Sequence, residues 1–312
     1  MMRFATLMAL VFCALNLAAS PARAEEFKGN WTLTASEQPG MVRFGLFHRH
    51  EGGQSQSEND WPVGAFQGLD LATAARHDVK FTISRDAGRF DCDGFLNAGD
   101  GAGIFRFTPN PAFVQGMRDL GFGGIDDNKQ FAMAVHDVTL EYARQMKNEN
   151  LRGLDTDKLI AFRIFDISQQ FLRDMRKEGI GTLDADKWVA FRVHGVTPPL
   201  IRELRKAGLE PDEDQLIAMR VHGATPEWIA KMKQQGYGGL GIEKLIAFRV
   251  HNVTPEFIAK VASLGYTHPD ADELIAMRVH GITPEYIADM KSRGRKDLTI
   301  DQLVSLKIHG ID

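Results

Sequence analysis

The sequence predicts an α+β protein: a small antiparallel β domain followed by an α-solenoid of about seven helix-pair units of 29 residues. Three observations carry this. The segments LIAFRIFDIS, WVAFRVHGVTP, LIAMRVHGATP, LIAFRVHNVTP, LIAMRVHGITP and LVSLKIHGI recur down the carboxy-terminal two-thirds of the chain. Residues 29–108 instead alternate apolar and polar positions, the period of two that marks a half-buried strand. Turn and capping residues fall at the joints that both patterns require.

Taken in chain order, residues 1–24 read as an export signal. Arg3 precedes an apolar run from Phe4 to Ala19 of about 16 residues, shorter than the roughly 20 needed to span a bilayer. Ala22-Arg23-Ala24 then supplies the small-x-small pattern that predicts cleavage after Ala24. Phe12, standing before Cys13 where a lipoprotein signal needs a small residue, argues against lipidation. No later stretch is long and apolar enough to span a membrane, so a periplasmic or secreted protein is expected. Without Arg3 and Arg23, 35 of the 37 basic residues face 41 acidic ones, a net charge near −6. That balance opposes general nucleic-acid binding, which needs a basic footprint. Cys92 is left without a partner for an internal disulfide.

Residues 25–109 form the expected β domain. Trp31 and Leu33 share one strand face, as do Val42, Phe44 and Leu46; Val79, Phe81 and Ile83; Phe90, Cys92 and Gly94; and Phe105 and Phe107. Asp86-Ala87-Gly88 and Asn97 to Gly101 predict hairpin turns, giving five strands with one apolar face. The polar stretch Glu51 to Asp60 reads as a mobile loop. The segment Ala65 to Ala75, or the first helix of the array, is expected to cover the apolar face. Asn110 follows the last strand at once, which implies an interface between the two parts.

Residues 110–312 form the expected array. His136, His194, His222, His251, His280 and His309 share one register with Phe165, at spacings of 29, 29, 28, 29, 29 and 29. Within a unit, Thr283-Pro284-Glu285 predicts a helix start, with a capping hydroxyl, a proline with no amide to orphan and an acid suited to the dipole. Gly208, Gly236, Gly265 and Gly294 predict left-handed helix ends. The other helix runs from an Asp270 cap to His280, before Gly281. Asn110-Pro111-Ala112-Phe113 aligns with Thr254-Pro255-Glu256-Phe257, which carries the register back to residue 110. Helices of three turns are too short to be stable alone, so stacking must hold them. In the last unit Ser305 and Lys307 replace the usual Ala and Arg, as an end cap would.

Candidate chemistry is sparse. Successive ladder histidines would stand about 10 Å apart, too far to share a zinc ion, so a structural role at helix C-termini is expected. Arg163, Arg192, Arg220, Arg249 and Arg278, with Lys307, lie two residues before each register position inside otherwise apolar helices. They either pair with acids such as Glu227, Glu256 and Glu285, or form a basic binding stripe for acidic peptides or anionic polymers. Trp228, Phe257 and Tyr286 read as core. His48, His50 and Glu51 start a pattern like HExxH, but Gln54 stands where the second histidine belongs. Asp91 and Asp93 share a strand face, Gly99 to Gly103 fits a hairpin better than a phosphate cradle, and Cys92 reads as a buried thiol. There is no GxSxG elbow, and no pattern implies a metal or cofactor.

The repeat L-I-A-[FM]-R-V-H-G-[VI]-T-P-E-[FYW]-I, preceded by Arg85-Asp86-Ala87-Gly88-Arg89-Phe90 and Gly103-Ile104-Phe105-Arg106-Phe107-Thr108-Pro109-Asn110, resembles a bacterial envelope module. It is similar to the extracytoplasmic tail of some membrane zinc metallopeptidases of the β-lactam-sensor type, without their protease domain. The resemblance covers nearly all of the chain beyond the export signal, transfers no catalytic residue, and implies envelope sensing or interaction. The expected function is therefore non-enzymatic: binding of a protein or peptide partner through the repeat surface. The competing classes are a carbohydrate- or anionic-polymer-binding protein, recognising through the β domain, and an enzyme with a site at the domain junction.

Overall fold

The computed structural model of the protein describes residues 27–50, 53–181 and 183–310; the segment 1–24, expected to be an export signal, and Glu51 lie outside them. The chain divides into two compact units, one ending at Pro111 and the other beginning at Ala112.

The first unit is one antiparallel sheet of six strands: β1 (Phe27–Ala35), β2 (Met41–His50), β3 (Gly53–Pro62), β4 (His77–Arg85), β5 (Gly88–Asn97) and β6 (Asp100–Pro109). Their order is β3-β2-β1-β6-β5-β4. The expected apolar positions all point to one face, where Trp31, Phe44, Phe81, Phe90, Phe105 and Phe107 are buried. Trp61 of β3 reaches Phe90 of β5 at 6.4 Å between ring centroids, although these strands are far apart in the order, so the sheet curls around an aromatic core. Room for the Trp31 indole comes from Gly94 and Gly103, which face each other across β5 and β6. A Cβ on either would fall within 2.7 Å of that ring. The indole Nε1 donates to the Asp93 carbonyl at 3.2 Å.

Phe66, from the segment expected to cover the sheet, sits on the apolar face 5.1 Å from Phe44 and 5.6 Å from Phe81. The β5–β6 hairpin turns through Ala98 and Gly99 with φ of 52° and 88°, the conformation that suits the twist of paired strands. Cys92 is buried among these residues, and desolvation, with Asp91 and Asp93 adding to it, pushes its thiol far above the usual range. Thiolate chemistry is thereby suppressed.

One expectation fails here. Residues 53–60 are not a loop but most of β3, paired with β2 through Phe44–Asn59, Leu46–Ser57 and His48–Ser55. Gln54, Ser55, Gln56, Glu58 and Asn59 are exposed, and only Trp61 turns inward. An edge strand wet on both faces has no apolar alternation to betray it, and its polar side chains blunt the open edge.

The second unit contains fourteen described α-helices. The odd-numbered ones are α1 (Pro111–Asp119), α3 (Leu140–Asn148), α5 (Gln169–Lys177), α7 (Pro198–Lys206), α9 (Pro226–Met232), α11 (Pro255–Ser263) and α13 (Pro284–Ser292). The even-numbered ones are α2 (Asp127–Val135), α4 (Thr156–Ile164), α6 (Ala185–Val193), α8 (Glu213–His222), α10 (Ile242–Val250), α12 (Ala271–Val279) and α14 (Ile300–Ile308). Even helices pack beside even helices, as α4 on α6 and α8 on α10, and odd beside odd, as α7 on α9 and α11 on α13. This is the two-layer stacking the repeat predicts.

Capping follows the sequence closely. The Thr225, Thr254 and Thr283 side chains accept from the amides of Trp228, Phe257 and Tyr286. Asp270 and Glu273 form a reciprocal capping box. Gly208, Gly236, Gly265 and Gly294 are all left-handed, with φ between 86° and 94°. Among the described residues no helix is long and apolar enough to cross a membrane.

Candidate functional site: the outer face of the even-numbered helices

Each even helix ends in the same way, and that ending organises the surface. After the register residue comes a left-handed position, held by Asp137, Asp166, Gly195, Gly223, Asn252, Gly281 and Gly310 in turn. The next residue, buried Val138, Ile167, Val196, Ala224, Val253 or Ile282, donates its amide back to a carbonyl five residues earlier, as Ile167 does to Phe162 at 2.7 Å. The left-handed residue bonds the carbonyl three back, as Asp166 does to Arg163. This Schellman ending satisfies two terminal carbonyls and leaves that of the register residue pointing outward.

The arginine ladder occupies that opening. Arg163 Nε donates to the His136 carbonyl at 3.0 Å, Arg192 to Phe165 at 2.6 Å and Arg220 to His194 at 2.8 Å. Arg249 donates to His222 at 2.8 Å and Arg278 to His251 at 3.2 Å. Each guanidinium thus caps the preceding even helix at the negative end of its dipole. Arg163 and Arg192 also reach Asp137 and Asp166, at 3.3 and 3.0 Å.

Below the ladder lie rings of the odd layer. Arg163 sits over Tyr142, Arg192 over Phe171, Arg249 over Trp228 and Arg278 over Phe257, at 4.9 to 5.3 Å from the centroids. Lys307 sits over Tyr286 at 4.6 Å. The aromatics are therefore both packing groups and cation platforms. The expected partners Glu227, Glu256 and Glu285 serve elsewhere. Glu227 bonds chiefly to Thr225, and Glu256 and Glu285 chiefly to their own amides; these contacts hold all three carboxyls below the usual range. Arg220 adds only a weaker through-space pull at Glu227. The odd layer repeats the device: Arg176 and Arg205 donate to the Glu149 and Glu178 carbonyls, and Lys291 donates to that of Leu264.

The ladder histidines are helix-terminal, at the C-caps of α2, α6, α10, α12 and α14, with His222 as the last residue of α8. What they give the neighbouring repeat is a backbone carbonyl. His136 is half-buried, and desolvation followed by the nearby Arg163 charge holds its imidazole below the ordinary histidine value. His309 Nδ1 lies 2.7 Å from the Ser305 carbonyl.

A second inter-repeat ladder runs along the N-terminal ends of the even helices. Lys129 pairs with Asp157 at 2.9 Å and Lys187 with Asp214 at 2.5 Å. Lys158 pairs with Asp186, Lys244 with Asp272, and Gln215 with Glu243 at 2.8 Å. Two turns along each helix, between the acids of this ladder and the helix ends, is a row that the sequence reading did not single out. Ile164, Val193, Val221, Val250, Val279 and Ile308 are 51, 52, 53, 50, 55 and 60% exposed. One turn before them lie the half-buried Ile160, Val189, Ile217, Ile246, Ile275 and Val304. The signal was available: each row residue is seven positions after an exposed Asp or Glu, and therefore on the same helix face.

The predicted site residues are thus brought into one line, but as a structural seam, with the aliphatic row beside it facing outward. Among the described residues no group of three His, Cys, Asp or Glu is arranged to hold a metal ion. A search against protein-family models and against curated proteins found no match.

Proposed function

We propose that this protein is an exported interaction or scaffold protein that holds a protein or peptide partner along the outer face of its even-numbered helices. The supporting observation is the row of six half-exposed aliphatic side chains at one per repeat. Together they expose on the order of 500 Å² of apolar surface in one line, an amount found at interaction sites. Stacked repeats present such surfaces as extended platforms. The resemblance to the tail of sensor-type membrane peptidases and the export-signal pattern of residues 1–24 support a bacterial-envelope setting. The basic-stripe reading is less favoured, because each of the five guanidiniums donates to a carbonyl of the preceding repeat, and all but that of Arg220 also lie over a ring.

The test places a photo-crosslinking residue at Val221 or, as control, at Lys260 on an odd helix, and irradiates the protein in envelope extract. Crosslinked species specific to Val221, lost when Val193, Val250 and Val279 are changed to Asp with the helical signal intact, are the expected result. The same species from both sites, or species that survive the aspartates, would overturn the reading.

A further inference from the structure

The outer side of the even helices is corrugated. Arg278 reaches back to the His251 carbonyl, so its flank of α12 faces α10, and Ile275, one turn earlier, shares that flank. Lys244 reaches forward to Asp272, so its flank of α10 faces α12, and Ala247, one turn later, shares it. Ala247 and Ile275, both half-buried, therefore floor a groove whose banks are the exposed Val250 and Val279. The arrangement recurs between α8 and α10, where Ala218 and Ile246 lie between Val221 and Val250. One apolar groove per repeat results. Packed helices lie about 8–10 Å apart, and small side chains such as alanine bring them to the close end of that range.

The N-terminal edge of the same face is acidic. Asp157, Asp186, Asp214 and Asp272 are 67 to 84% exposed, whereas their lysine partners are 23 to 42% exposed, so the acid is the outward member of each pair. The lysines do not balance the edge. α8 opens with Asp212, Glu213 and Asp214, and α12 with Asp270, Asp272 and Glu273, while Lys187 and Lys244 are the lysines paired across to them. The positive end of each helix dipole, worth about half a charge, offsets only part of this excess. Seven residues, or about 10 Å, separate the acids from the aliphatic row, a span that a lysine or arginine side chain on a bound chain can bridge.

Resting on the reading of this face as the binding surface, we propose that its partner is a basic, proline-rich segment in the polyproline II conformation. It would cross the even helices with one proline in each groove and its cations toward the acidic edge. A polyproline II chain returns to the same face every three residues, about 9.3 Å, in step with the grooves. A β-strand returns every two residues, about 6.7 Å, or every four, about 13 Å, and falls out of step. An α-helix returns after seven residues, about 10.5 Å, and overshoots; being about 10 Å across, it also rides on the banks without reaching the floors. A preformed polyproline II segment gives up little conformational freedom on a rigid platform.

The test is fluorescence anisotropy of labelled peptides with the purified protein at about 50 mM salt, where screening is moderate. The probe is (Pro-Pro-Lys)6. Controls are the flexible (Gly-Ser-Lys)6, the acidic (Pro-Pro-Glu)6, and the probe with one glycine inserted at its centre, which puts half its prolines out of phase. The expected result is saturable binding of the probe, about tenfold weaker binding of (Gly-Ser-Lys)6, several-fold weaker binding of the interrupted peptide and none of (Pro-Pro-Glu)6. V221N/V250N/V279N, with folding checked by circular dichroism, should weaken the probe by about tenfold. D186N/D214N/D272N should weaken it several-fold and flatten its salt dependence. Equal binding of (Gly-Ser-Lys)6 or of the interrupted peptide, indifference to either variant, or self-association of the protein through Val221, Val250 and Val279 would overturn the proposal. Absence of probe binding alongside crosslinks specific to Val221 would overturn the class of partner and leave the face as a site; absence of both would remove the face itself.

Discussion

At the scale of single residues, the structure turns on one donor and one acceptor per repeat. A long cation in each even helix reaches the one carbonyl that the left-handed turn of the preceding repeat leaves over. Arg249 makes this bond to His222 and lies over Trp228, whereas Arg220 makes the same bond to His194 where the ring position is Leu200. Arg249→Met should therefore cost about 1–2 kcal/mol in denaturant unfolding, and Arg220→Met less by roughly the cation–π contribution of 0.5–1 kcal/mol. Trp228→Leu recreates the Arg220 setting, so a double-mutant cycle should return a coupling of that size; additivity would show the ring to be a bystander. His136 offers a pH test. Its folded-state value lies below the ordinary 6.5, so the unfolded chain binds more protons and stability must fall as pH drops through that ordinary value. Phe165 holds the same register position, so His136→Phe is already tolerated by the architecture. The variant should show a flatter dependence of its unfolding midpoint between about pH 7.5 and 5.5; an unchanged slope would assign the dependence to other groups.

At the scale of elements, helix ends matter more than helix middles. Gly281 is left-handed at φ 70° with open space around a would-be Cβ, so conformation alone sets the cost of a side chain there. Gly281→Ala should destabilise by about 1 kcal/mol. Gly281→Asn should cost clearly less, as Asn252 occupies the equivalent turn at φ 56° and asparagine tolerates this region; equal losses would mean that packing, not φ, decides. These ends were the legible part of the sequence, because capping and turn chemistry are local and a 29-residue period repeats the evidence. What stayed hidden depended on exposure and on neighbours in space. β3 gave no alternation because almost none of its side chains is buried. The arginines were recognised as needing partners, but a backbone carbonyl one repeat away has no identity in a sequence. The aliphatic row went unnoticed because valine in an apolar helix does not stand out unless its phase against Asp272 or Asp214 is followed around the helix.

At the scale of the whole molecule, the helical unit is held by contacts between each helix and the next of its own layer, so its stability should be a sum over neighbours and not the property of one central core. Every seam described recurs locally: arginine to carbonyl, lysine to aspartate, buried aliphatic to buried aliphatic. Removing residues 283–312 deletes α13 and α14 together with the contacts α11–α13 and α12–α14, and leaves every earlier seam whole. Two costs follow: the interface terms of the last pair are lost, and α12 presents the face that α14 otherwise covers. The truncated chain should therefore remain helical through α12 and lose helical signal in proportion to its missing length. Its denaturant slope should be lower, because less surface is exposed on unfolding, and its stability should fall by a few kcal/mol. Circular dichroism across a guanidinium titration measures all three. Collapse of the entire helical signal on removing one terminal pair would show that the array folds as a single unit. Retention of the rest would mean that the outer aliphatic row is carried by a scaffold whose length can change without changing its face.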